Sequence, residues 1–288
     1  MPLSFPARAG MLAVTACSFA VSTCPAHAAT AVFGGTTKSH EPIVLKADKS
    51  AQRLRSVVIG LDAACDNGKH YVISGSYKVA RSAPGLPRGG GLVMSRNAHG
   101  RFAGKIVGSD QAADGTGQVV VKLAGRLTRG AARGTIAAKA TVTDQAGQTV
   151  TTCTAQTPWA ASRRPGVIYG GSSTQGEPVV VRLDDSRRRV SDFLFSWDAS
   201  CQPDGALRIP DGLTGFAVST VGAFGDTFND QINMDDGGHA QLGYVLHGKI
   251  TRSAASGTVS AQLTQSDAAG TQQGQCSTGD VSWSVASG

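Results

Sequence analysis

GGTTKSHEPIVLKADKSAQRLRSVVIGLDAAC, residues 34–65, returns as GGSSTQGEPVVVRLDDSRRRVSDFLFSWDASC, residues 170–201. At a constant offset of 136 positions, Gly34-Gly35, Glu41-Pro42, Asp48, Asp62 and Cys65 meet Gly170-Gly171, Glu177-Pro178, Asp184, Asp198 and Cys201. Apolar residues recur at every second position in both copies, as Val57, Ile59, Leu61 and as Phe193, Phe195, Trp197. Period two sends successive side chains to opposite faces of a strand. The repeated stretch therefore reads as β-structure, present twice.

The chain beyond it repeats as well. Gly125–Cys153 realigns with Gly248–Cys276 at an offset of 123, and Trp159 and Trp283 close the two copies. Gly100-Arg101-Phe102 aligns with Gly222-Ala223-Phe224. Val119, Val121, Leu123 and Leu127 alternate with Val120, Lys122, Ala124 and Arg126, and Ile136, Ala138, Ala140 and Val142 repeat the pattern after a Gly-bearing connection. Gly125 and Gly248 fall on the apolar face of their strands, which predicts a bulge or a close contact there. No amphipathic helix is evident. The expectation is an all-β protein of two tandem duplicated β-sandwich or flattened-barrel domains, 31–162 and 167–288, joined by the short linker 163–166.

Residues 1–28 read as a signal peptide: a basic start, an apolar run over Ala9–Val21, and Ala26-His27-Ala28 at the cleavage position. The expected destination is secreted or periplasmic. The alternative is a lipoprotein anchored at Cys17, since Val14-Thr15-Ala16-Cys17 resembles a lipobox. No later stretch has the apolar length of a membrane-spanning helix. Removal of the signal leaves Cys65, Cys153, Cys201 and Cys276. An even number of cysteines in an exported chain reads as disulfides. Each copy holds one cysteine after its second strand and one near its last, so the duplication selects Cys65–Cys153 and Cys201–Cys276. Such bonds contribute about 2–4 kcal/mol each.

The copies differ in charge and in one length. Residues 31–162 carry 17 Lys+Arg against 7 Asp+Glu, a net of +10, whereas 163–288 carry 9 against 13, a net of −4. From Cys65 to Gly100 is 35 residues, but from Cys201 to Gly222 only 21. The extra length coincides with KVARSAPGLPRGGG, residues 78–91, read as a projecting loop that is either a basic finger or a hairpin extension. Lys78, Arg81, Arg88 and Arg96 are the candidate anion-binding residues. The remaining basic residues look scattered in sequence. GDTFNDQINMDDGGH, residues 225–239, reads as an acidic loop of the second copy, its Asp226, Asp230, Asp235 and Asp236 either solvated or ligating calcium in a spacing that does not match an EF-hand.

Catalytic signatures are missing: no G-x-S-x-G elbow, no H-E-x-x-H helix and no P-loop occurs. No metal or cofactor is expected. His40, His70, His99, His239 and His247 have no histidine at the matching position of the other copy. The chain resembles exported bacterial proteins with a [FY]-G-G-x-[ST] opening, a mid-domain Gly-x-Phe, one disulfide and a closing Trp. The residues that carry the resemblance are Phe33–Thr37 and Tyr169–Ser173, Phe102 and Phe224, Trp159 and Trp283. It implies a fold and transfers no activity or functional residue.

The reading is a non-catalytic exported binding or cell-envelope protein that engages anionic polymers or surfaces through its first domain. Nucleic acid is disfavoured because the first copy has few aromatics to stack bases. The alternatives are a structural protein whose oppositely charged domains dock, and a hydrolase drawing on Asp62, His70 and His99.

Overall fold

The computed structural model describes residues 30–80, 92–96, 100–112, 115–202, 205–233 and 237–288, and every regular element among them is a strand. The first copy supplies β1 (Thr30–Thr37), β2 (Pro42–Asp48), β3 (Leu54–Cys65), β4 (His70–Ala80), β5 (Leu92–Arg96), β6 (Arg101–Ala112), β7 (Gly115–Leu127), β8 (Ala131–Thr143) and β9 (Thr149–Ser162). They make a closed barrel in sequence order, in which β9 pairs with β1 and, through its first half, with β3. The second copy supplies β10 (Ile168–Ser173), β11 (Pro178–Leu183), β12 (Arg189–Gln202), β13 (Ala206–Leu213), β14 (Phe216–Ala217), β15 (Ala223–Asn233), β16 (His239–Ile250), β17 (Ala254–Ser266), β18 (Gln272–Ser277) and β19 (Val281–Ser287). Its order is β13-β12-β11-β10-β19-β17-β16-β15, with β14 paired to β12 and β18 bridging β12 and β17.

The repeated residues build the scaffold. Asp48 Oδ1 accepts the N–H groups of Gln52 at 2.6 Å and Arg53 at 3.1 Å, turning β2 into β3. Asp184 Oδ1 does the same with Arg188 at 3.0 Å and Arg189 at 3.3 Å. Ala51 and Arg187, at matching positions in these turns, both have positive φ, 55° and 58°. Pro42 and Pro178 open β2 and β11, where no ladder N–H is required. The alternating apolar residues fill two separate interiors, one around Phe33, Ile43, Ile59, Val121 and Trp159, the other around Tyr169, Phe193, Phe195, Trp197 and Trp283. Gly125 lies beneath Phe102 and Trp159, and a Cβ there would meet the tryptophan ring at 2.7 Å. Gly248 lies likewise beneath Phe224 and Trp283, so the shared glycines make room for a shared aromatic pair. The disulfides are Cys65–Cys153 and Cys201–Cys276, each between directly opposed strand positions, spanning 88 and 75 residues.

The length difference decides how each sheet ends. The longer first copy contains β5, which pairs with β4 on one side and β6 on the other and so completes the ring. In the second copy only the two-residue β14 falls in that region, and it pairs with β12. The second sheet therefore stays open between β13 and β15. Two sequence expectations need correction. Lys78–Ala80 belong to β4 rather than to a loop, and β4 and β5 pair in parallel, while the rest of that expected loop, residues 81–91, lies outside the described residues. Residues 226–233 are not a loop either: they form most of β15, paired with β16 along its length.

The two sheets meet through the repeated stretch itself. Val32, Val44 and Val58 on the outer side of β1–β3 are buried against Val180 and Leu194 of β11 and β12. Val44 and Val180 are matching positions, as are Val58 and Leu194, so the contact is close to twofold symmetric. A Cβ on Gly34 would lie 2.8 Å from Val180, and one on Gly170 would lie 2.8 Å from Val44. The paired glycines thus let the barrels approach closely here. Ser74 adds a hydrogen bond across the contact, donating to the buried Glu177 at 2.7 Å.

Candidate anion-binding face

Lys78, Arg81, Arg88 and Arg96 do not form one described site. Lys78 is exposed at the end of β4, opposite Ser56. Arg81 and Arg88 lie outside the described residues. The backbone of Arg96 pairs with Phe102, a core position.

The structure instead gathers basic residues that look scattered in the sequence. β6, β7 and β8 run side by side, and on their outer side Arg101 stands opposite Arg126, and Arg126 opposite Arg133. One row further along, Lys105 stands opposite Lys122. Arg101, Lys105, Lys122, Arg126 and Arg133 are all exposed, as is Lys139 towards the far end of β8. No Asp or Glu occurs in residues 101–109, 116–127 or 131–143 of these three strands. Directly opposed like charges are destabilising in a sheet, by about 0.2–1 kcal/mol per pair. The matching rows of the second copy are Ala223, Lys249, Ser256 and Thr227, Val245, Ser260, with a single cation. The signal in the sequence was the spacing of Lys122 and Arg126, which share one face of a strand. What brought Arg101, Lys105 and Arg133 beside them was the pairing of three strands.

Between the two cationic rows runs a third made of small residues. Ala103 faces Ala124, Ala124 faces Thr135, and Thr135 faces Pro158 of β9. The Lys38 backbone N–H then bonds the Pro158 carbonyl at 3.0 Å, placing that lysine at the end of the row. Two hollows of about 470 and 520 Å³ lie along it and share Thr135, one bordered by Lys105 and Lys122, the other by Lys38 and Arg133.

The other acidic and aromatic groups form internal structure. Asp62 and His70 hydrogen-bond at 2.8 Å, with His70 Nδ1 on Asp62 Oδ2, but the side chains are 36% and 65% exposed on the strand surface. In the second copy Asp198 is held instead by Arg208, through Nε and, at 2.9 Å, Nη2. His99 lies outside the described residues.

A polar trio also replaces an apolar one. Leu61, Gly75 and Val121 of the first barrel correspond to Trp197, Asp211 and Tyr244 of the second. Trp197 donates to the Tyr244 hydroxyl at 3.2 Å, and that hydroxyl donates to Asp211, tying β16 to the edge strand β13 across the opening. Burial pushes the Tyr244 phenol far above its ordinary value, and the neighbouring Asp211 carboxylate adds to the shift. Asp226, Asp230 and Asp211 each accept the N–H of the following residue, at 2.8, 2.8 and 2.6 Å, along the edge strands β15 and β13. Asp235 and Asp236 lie outside the described residues, and no group of three or more metal-ligating side chains occurs among those described.

The chain matches no family model, no curated protein and no solved structure.

Proposed function

We propose that this is a non-catalytic exported binding or cell-envelope protein that engages anionic polymers or surfaces through its first barrel. The observation that carries the reading is the pair of opposed cationic rows on β6–β8, retained against their mutual repulsion and reduced to Lys249 in the second barrel. The charge lies away from where the barrels meet, a contact centred on four valines and a leucine with the Ser74–Glu177 hydrogen bond beside them. Around the ring, β5 separates the cationic face from the contact on one side and β9 on the other. Two disulfides suit a compartment outside the reducing cytoplasm, and no helix among the described residues is long and apolar enough to cross a membrane. Secretion or residence in a periplasm, with or without an anchor at Cys17, is the setting this reading assigns.

The test is binding of the purified two-domain protein to an anionic polymer and to anionic vesicles across a salt series. Binding should weaken as salt rises, because exposed charges are screened. Arg126→Glu with Arg133→Glu should weaken it by about tenfold or more, two charge reversals each being worth on the order of 1 kcal/mol. Unchanged binding in that variant would remove the cationic face from the reading.

A further inference from the structure

We infer that the cationic face holds one strand of a linear acidic polysaccharide, laid across β6, β7 and β8 on the row Ala103, Ala124, Thr135 and Pro158. This rests on the reading of the first barrel as an anion-binding domain and adds the shape and chemical class of the ligand. Neighbouring strands are about 4.8 Å apart, so the floor extends about 15 Å from β6 to β9, with Lys38 beyond. The arginine and lysine rows lie four residues apart along the strands, about 13 Å between backbones, with the small side chains midway. Long cationic side chains thus wall a shallow trough on both sides. A membrane surface is flat and has no use for a recessed floor. A nucleic acid strand calls for aromatic platforms, and the outward positions of β6–β8 offer none among the described residues. A ribbon of sugar rings carrying carboxylates on both edges matches the trough: its flat rings rest on alanine, threonine and proline, while its acid groups reach Arg101, Arg126 and Arg133 on one side and Lys105 and Lys122 on the other.

The test separates trough from charge. Polygalacturonate serves as the ribbon-like polyanion and phosphatidylglycerol vesicles as the flat one, both titrated against the full two-domain protein. Ala124→Trp and, separately, Thr135→Phe fill the floor without altering charge, and both positions are exposed, so the barrel keeps its interior. We expect each to weaken polygalacturonate binding by about tenfold and vesicle adsorption by less than about twofold, the loss expected when one contact row is blocked. Lys105→Gln with Lys122→Gln should weaken both. Equal polygalacturonate affinity in the floor-filled and unaltered proteins would overturn the trough while leaving the anion-binding reading intact. Polygalacturonate binding that ignores the lysine substitutions would overturn both.

Discussion

Asp48 and Asp184 show what single residues fix in this fold. Burial works to raise the Asp48 carboxyl, but the N–H bonds of Gln52 and Arg53 and the Ser50 hydroxyl prevail and hold it below its ordinary value of 3.8. Asp184 is lowered by the Ser186 hydroxyl first and then, against some desolvation, by the Arg188 and Arg189 amides. Their folded-state values are depressed, so the stability they contribute is present above the unfolded value of 3.8 and is lost as pH falls through the lower folded one. The unfolding midpoint should therefore drop on acidification below about pH 4, and Asp48→Asn with Asp184→Asn should drop less steeply, as followed by denaturant titration at several pH values. Tyr244 makes a second prediction. Tyr244→Phe leaves the Trp197 indole N–H without its buried acceptor and costs about 1–3 kcal/mol in the same assay. Val121→Phe, at the matching position of the first barrel, tests overpacking instead, since no polar partner is lost there.

At the scale of elements, one short strand separates a closed barrel from an open one. β5 completes the first ring, and its lack leaves β13 and β15 with free edges in the second. Exposed edges invite pairing with other chains, and inward-facing charges and proline are the usual protection. Asp211, Asp226 and Asp230 stand on the core-facing side of these strands and occupy edge N–H groups with their own carboxylates, and Pro210 has no N–H to offer. The matching positions in the closed barrel are Gly75, Gly104 and Gly108, where no edge needs covering. Asp226→Ala with Asp230→Ala should therefore self-associate at concentrations where the unaltered protein does not, as read by sedimentation velocity. An unchanged sedimentation profile would show that the edge is protected by something else. A smaller change makes the same point: one extra residue between Cys276 and Trp283, with Gly279 at φ 60°, splits into β18 and β19 what remains the continuous β9 in the first barrel.

On the scale of the whole molecule, an apolar contact lies where the barrels meet. Val44, Val58, Val180 and Leu194 are nearly inaccessible, at 0%, 1%, 0% and 7% exposure. Hydrophobic burial is little affected by moderate salt, whereas charge attraction is screened within about 10 Å at 0.1 M. X-ray scattering should accordingly give the same radius of gyration at low and high salt. Leu194→Asp should expand the particle while both barrels keep their strand content, because an unpaired charge in that contact has no partner. A salt-dependent expansion of the unaltered protein would instead mean that charge holds the barrels together.

The alternation in residues 34–65 and 119–127, the repetition of both, and the shared Gly, Asp and Cys positions were enough to give all-β barrels and the disulfide pairing. Periodicity and duplication are local or one-dimensional properties, so they survive in the sequence. The twofold contact was partly legible: Gly34 and Gly170 recur, but that they recur in order to let the barrels touch is a fact of packing. The cationic face was not legible, because Arg101, Lys105, Lys122, Arg126 and Arg133 become neighbours only once β6, β7 and β8 pair in register. The acidic stretch around Asp226 read as a loop because Asp226 and Asp230 interrupt the face that carries Phe224, Phe228 and Ile232, and pairing with β16 makes it a strand all the same. The sequence by itself determined two disulfide-bonded β-domains of opposite charge. Only the tertiary structure decided which charges act together, because charges on neighbouring strands are brought within reach of one ligand by hydrogen bonds between segments far apart along the chain.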